Sequence, residues 1–131
     1  MKARCIRAEV SRDDVQRLGH LYGENQSFGL VPGTTYVVFG ISFLIAAPWM
    51  GTGTYYYVID GTGRLVLAPS LLFEVEDGRP SPEWRFRAEL GEGFLWPPLF
   101  REPFFHDDFS SGVPSAVERF SVIRRRIEAE G

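Results

Sequence analysis

The sequence predicts a single α+β domain over residues 1–131: a mainly antiparallel twisted sheet of five to six strands, with a short N-terminal helix and a packed C-terminal helix. Three observations predict it. Apolar and polar residues alternate over several short segments, which is the period of a strand with one covered face. Turns rich in Gly, Pro and Asp separate those segments, and short connections favour antiparallel neighbours. Only the two ends of the chain carry the three-to-four-residue apolar spacing of a helix.

Taken in order, Lys2 to Val10 reads as a first strand. Ser11 then opens a helix. Its hydroxyl can accept from free backbone N–H groups, and Asp14, three positions on, suits the positive helix end. Val15, Leu18 and Tyr22 share one face of that helix, and Gly23 stops it. Residues Asn25 to Gly33 form an irregular connection. Thr34 to Ala46 predicts one long strand, with Val37, Phe39, Ile41, Phe43 and Ile45 as a continuous apolar face. Ala47 to Gly53, which includes Pro48 and Trp49, turns the chain.

Thr54 to Asp60 is the next strand, with Tyr55 and Tyr57 on one face and Tyr56 and Val58 on the other. Asp60-Gly61-Thr62-Gly63 makes a tight turn into a return strand at Leu65 to Ala68, and Leu71 to Val75 adds another. Trp84 to Leu90 alternates most cleanly. Trp84, Phe86, Ala88 and Leu90 are expected to face inward, and Arg85, Arg87 and Glu89 to face water. Phe94 to Trp96 pairs back before Pro97 and Pro98 end it. Ser115 and Glu118 have capping-box spacing at the start of the last helix, whose Val117, Phe120, Ile123 and Ile127 lie against the sheet.

Composition narrows the function classes. A chain of 131 residues buries roughly two-thirds of its unfolded surface and needs no disulfide or structural metal to fold. With 44% hydrophobic and 24% charged residues it is not a disordered chain. A net charge of −3 without a basic face argues against nonspecific nucleic-acid binding. The single cysteine, Cys5, excludes an internal disulfide and a Cys-rich zinc site. The first residues lack an apolar signal region, and a cytoplasmic location is expected. The apolar run from Val37 to Met50 is shorter than the about 20 residues of a membrane helix, so no membrane partner is expected.

The best local polar cluster is FFHDDFS, Phe104 to Ser110. His106 beside Asp107 or Asp108 has the makings of an acid–base pair, because histidine titrates near neutrality and a carboxylate can orient its ring. Glu102, His106, Asp107 and Asp108 are the alternative metal-ligand set. The structural reading carries more weight: Phe104, Phe105 and Phe109 pin the segment to the core while a carboxylate caps the turn. A Cys5–His106 nucleophile pair is the weaker option, since a lone cysteine on a strand reads as a small core residue. The glycine-rich GTGTY at Gly51 and GTGR at Gly61 lie at hairpin turns and lack the strand–loop–helix pattern of a phosphate loop.

Tyrosine and tryptophan combine a large apolar area with a hydrogen-bonding tip, which suits interfaces and pockets. The candidate binding set is Tyr55, Tyr57, Trp84, Arg85, Arg87, Trp96 and His106. The function expected is that of a small accessory protein that binds stoichiometrically through an aromatic surface, without bond chemistry or cofactor. Its partner is another protein or a second copy of itself. The alternative is a small-molecule-binding protein or an enzyme, its pocket lined by Tyr55, Tyr57, Trp84 and His106.

Overall fold

The computed structural model describes residues 1–18, 26–47 and 51–130. His20, Tyr22, Gly23, Pro48 and Trp49, which carry the expected helix stop and the PWMG turn, lie outside the described residues. The elements in chain order are β1 (Lys2–Cys5), β2 (Glu9–Val10), α1 (Arg12–Leu18), β3 (Gln26–Ser27), β4 (Thr35–Val37), β5 (Gly40–Ala47), β6 (Gly51–Ile59), β7 (Leu65–Pro69), β8 (Phe73–Asp77), β9 (Arg85–Glu89), β10 (Glu92–Trp96), α2 (Phe105–Ser110) and α3 (Pro114–Glu128).

The α+β class is as expected, and every described strand pairing is antiparallel. The strands divide into more than one sheet, however. Five of them run in the order β7-β6-β5-β10-β9, three in the order β4-β1-β8, and β2 and β3 form a two-stranded ribbon. Two cores result. One joins the two larger sheets and contains Ala3, Cys5, Tyr36, Val38, Ile41, Tyr56, Val58, Leu72, Phe73 and Trp84. The other lies on the opposite side of the five-stranded sheet, under the helices, and contains Phe39, Leu99, Phe100, Phe105, Phe120 and Ile127.

The expected long strand from Thr34 to Ala46 is in fact two. β4 belongs to the three-stranded sheet and β5 to the five-stranded one, and Val38 and Phe39 carry the chain between them. The apolar face changes sides at this crossing: Val37 and Phe39 pack with the helices, whereas Ile41 packs between the sheets. Alternation along a sequence cannot register such a change, because apolar residues remain apolar on either side. β6 behaves as expected, with Tyr56 and Val58 in one core and Tyr57 and Ile59 against the other. The turn after it is held by Asp60, whose Oδ1 accepts from Thr62 N at 2.9 Å, Thr62 Oγ1 at 2.7 Å and Arg64 N at 3.0 Å.

The two helix starts exchange roles. Ser11 and Asp14 form a full reciprocal cap: Asp14 N donates to Ser11 Oγ at 3.2 Å and Ser11 N donates to Asp14 Oδ2 at 2.9 Å. The box expected at Ser115 and Glu118 does not form. α3 begins two residues earlier than that box requires, at Pro114, with Val113 as its cap residue and no side-chain hydrogen bond there. Proline fits the first helical position because its missing N–H needs no partner there. No helix among the described residues is long and apolar enough to cross a membrane.

Candidate functional site

Register places most of the expected binding residues on one side of the five-stranded sheet, the side that faces the helices. One row across the strands runs Pro69, Tyr55, Ser42, Phe94, Arg87. In the neighbouring row Leu67 pairs with Tyr57, Tyr57 with Gly40, and Trp96 with Arg85. Gly40 is required where it stands: a Cβ there would lie 2.9 Å from Trp96 Cβ and 3.4 Å from the Phe100 ring. Phe94 and Trp96 stack with ring centroids 4.3 Å apart.

His106 sits against these rings. The segment FHDDFS is a helical turn, α2, rather than a loop. Neighbouring side chains on a helix diverge, so Asp107 is exposed while the imidazole turns inward. The ring stacks on Tyr57 at 5.3 Å and 12°, and meets Phe100 at 5.3 Å, Phe105 at 5.1 Å and Trp96 at 6.4 Å. Burial lowers the His106 pKa, although the Phe100 backbone carbonyl and the Asp107 charge pull the other way. Burial also pushes the Tyr57 hydroxyl up to about 12, tempered by the neighbouring Ser42 hydroxyl. Ser42 Oγ itself has no partner at hydrogen-bond geometry.

The other candidates are dispersed. Glu102 is engaged by Arg119, whose Nη1 donates to Oε1 at 2.7 Å and whose Nη2 donates to Oε2. Among the described residues no group of three or more His, Cys, Asp or Glu side chains lies close enough to hold a metal. Trp84 is buried between the sheets and donates from Nε1 to the Phe39 carbonyl at 2.9 Å. Cys5 is buried in that same core, on the other side of the sheet from His106, and burial raises its pKa. Tyr55 is wholly buried.

The expected alternation of β9 fails in an instructive way. Trp84 is buried, but Phe86 is 66% exposed, Ala88 is exposed and Leu90 is fully exposed. Phe43 and Ile45 on β5 are also exposed, at 38% and 59%. These four large side chains form one patch on the face away from the helices. Gly93 lies between two of them, and a Cβ there would be 3.3 Å from the Phe86 ring and 3.5 Å from that of Phe43. At the neighbouring Gly91 a Cβ would lie 3.8 Å from Ile45 Cδ1. The sequence carried the signal for this patch as ordinary strand alternation, which does not distinguish a covered apolar face from a bare one. Among the described residues, β9 pairs only with β10, so its outer edge is open.

No protein-family model matches the chain, and comparison with curated proteins and with solved structures finds no match.

Proposed function

We propose that this chain is a protein-binding module that acts stoichiometrically through the open edge of β9 and the apolar patch beside it, and that its partner is a second copy of itself. The observation that carries this reading is the coincidence of a bare apolar face with an unpaired strand edge. A sheet edge offers backbone donors and acceptors to any added strand, and the charges on this one, Arg85, Arg87 and Glu89, are of both signs. Contiguous exposed apolar surface points the same way.

Charge complementarity selects the occupant. If two β9 strands pair antiparallel about a two-fold axis at Ala88, Arg87 faces Glu89 of the second copy and Phe86 faces its Leu90. Symmetry makes each contact twice, and Ala88 meets Ala88 without a clash. Opposite charges and large apolar side chains directly opposed across strands are favourable pairs, and a two-fold interface must be self-complementary in this manner. The surface is aromatic in part, through Phe43 and Phe86; Tyr36, Tyr55 and Tyr56 are buried elsewhere and Tyr57 packs on the helix side.

Light scattering on a size-exclusion column, over a concentration series, tests the proposal. The mass is expected to rise from 14.8 kDa to twice that value. Phe86→Asp should remain a monomer with unchanged circular dichroism and thermal midpoint. A wild-type chain that stays monomeric at the highest soluble concentration would overturn self-association. A different protein held in constant proportion and released by Phe86→Asp would assign the edge to that partner's strand instead.

A further inference from the structure

Three buried side-chain polar atoms among the described residues lack a protein hydrogen-bond partner: Ser42 Oγ, Arg87 Nη1 and His106 Nε2. All three lie on the helix side of the five-stranded sheet, opposite the apolar patch. Ser42 and Arg87 flank Phe94 in one register row. His106 packs against Trp96 and Phe100. Buried polar atoms in native proteins nearly always have partners, and an unpaired guanidinium donor is among the costliest to leave alone. Of the three, Arg87 Nη1 belongs to a residue that lines a cavity, and an unpaired donor there points to something that binds it.

A cavity adjoins Arg87. It has a volume of about 270 Å³ and is lined by Arg87, Glu89, Phe94, Trp96, Phe100 and Arg101. Glu89 accepts from Arg87 Nη2, which leaves Nη1 as the free donor on the same guanidinium. Two arginines against one glutamate leave the lining with one excess positive charge. The walls are flat, because Phe94 and Trp96 stack within 22° of parallel. Guanidinium groups pair preferentially with planar carboxylates, and aromatic walls favour a planar body.

We propose that this cavity binds a small aromatic carboxylate, with Arg87 Nη1 and the Arg101 guanidinium holding the carboxylate and the ring lying against the outer side of the Phe94–Trp96 stack. The cavity opens on the helix side of the sheet, and its Arg87 and Glu89 are shared with the proposed strand-edge pairing.

Benzoate is a suitable first probe, followed by nuclear magnetic resonance of the Trp96 indole and Arg87 side-chain signals. Saturable shifts in both are expected. Benzamide, which has the same ring without the charge, should bind at least tenfold more weakly. Cyclohexanecarboxylate, which keeps the charge without the flat ring, should also bind several-fold more weakly. Arg101→Gln, at an exposed position, should weaken benzoate several-fold without affecting folding, and Arg87→Met should weaken it more. Absence of saturable benzoate binding would overturn the proposal. So would equal affinity for benzamide, or benzoate affinity indifferent to both arginine substitutions.

Discussion

The face of the five-stranded sheet that points away from the helices has two ends, and they differ in their cover. At one end Ile41, Tyr56, Val58 and Ala68 lie under the three-stranded sheet, together with Leu72 and Phe73. At the other, Phe43, Ile45, Phe86 and Leu90 are exposed and no second layer among the described residues covers them. The side chains are of the same kind, and β5 runs from one end to the other. What differs is the reach of the second sheet: β4, β1 and β8 are three to five residues long, whereas β5 and β6 have eight and nine. A short layer over a long one leaves an overhang. The comparison teaches that an apolar face in a sequence specifies a demand for cover, and that the source of the cover is decided elsewhere in the chain or in another molecule.

The largest expected effect comes from probing the two ends with matched truncations. Leu72 is wholly buried at the covered end. Leu72→Ala should cost about 2–5 kcal/mol, the transfer term plus a cavity that its neighbours cannot fill. Phe86→Ala removes a larger side chain, yet at low concentration it should change stability by no more than about 0.5 kcal/mol, as at an ordinary surface position. Chemical denaturation of both variants, at a concentration where the chain is monomeric, measures the contrast. Equal losses would mean that the overhang is folded against something within the chain.

Much of this molecule was legible before its structure. The α+β class, the β6–β7 hairpin, the two faces of the Tyr55–Tyr57 run and the terminal helices all follow from period and turn chemistry, which are local. Three features were not legible, and each is non-local. Division into two larger sheets depends on the crossing at Val38 and Phe39, where the hydrophobic pattern runs on unbroken. The exposure of Phe86 and Leu90 depends on the length of strands that lie far off in sequence. The helical turn at Phe105–Ser110 has six residues, too few for periodicity to distinguish it from a polar loop. The site was read in part. Tyr55, Tyr57, Arg85, Arg87 and Trp96 fall on one face of the five-stranded sheet, while Trp84 lies on the other, because neighbours along a strand point to opposite sides.

Acid sharpens the comparison on the sheet's helix side. The folded His106 pKa is depressed from its ordinary value near 6.5, chiefly by burial. Above that value both folded and unfolded chains keep the imidazole neutral, and the packing around it contributes in full. As pH falls below it, the unfolded chain takes up the proton first, so stability declines until the folded pKa is passed. The thermal midpoint should therefore drop between about pH 7 and pH 5, and His106→Phe should flatten that slope. The strand-edge contacts do not involve His106, so the dimer fraction at matched folded concentration should change less than stability does. A slope unaltered by His106→Phe would place the pH dependence on other groups.

The smallest expected effect is the most discriminating, and it concerns Leu90. The β9–β10 hairpin turns at Leu90-Gly91, and both residues have positive φ, +52° and +84°. Such two-residue turns strongly prefer Asn or Asp followed by Gly, because an ordinary side chain is strained there. Leucine at this position is doubly unfavourable to the monomer: its backbone is in the left-handed region and its side chain is fully exposed. Leu90→Asn relieves both and should raise stability by on the order of 1 kcal/mol. The same substitution removes the apolar partner offered to Phe86 of the second copy, so association should weaken while the monomer becomes more robust. Thermal melts and dimer dissociation constants for the one variant should thus move in opposite directions. If the midpoint rises and association is unchanged, Leu90 contributes nothing to the interface and the two-fold register about Ala88 is wrong. If both move as expected, the strain at this turn is the cost of holding a leucine outside the fold, where only another molecule can cover it.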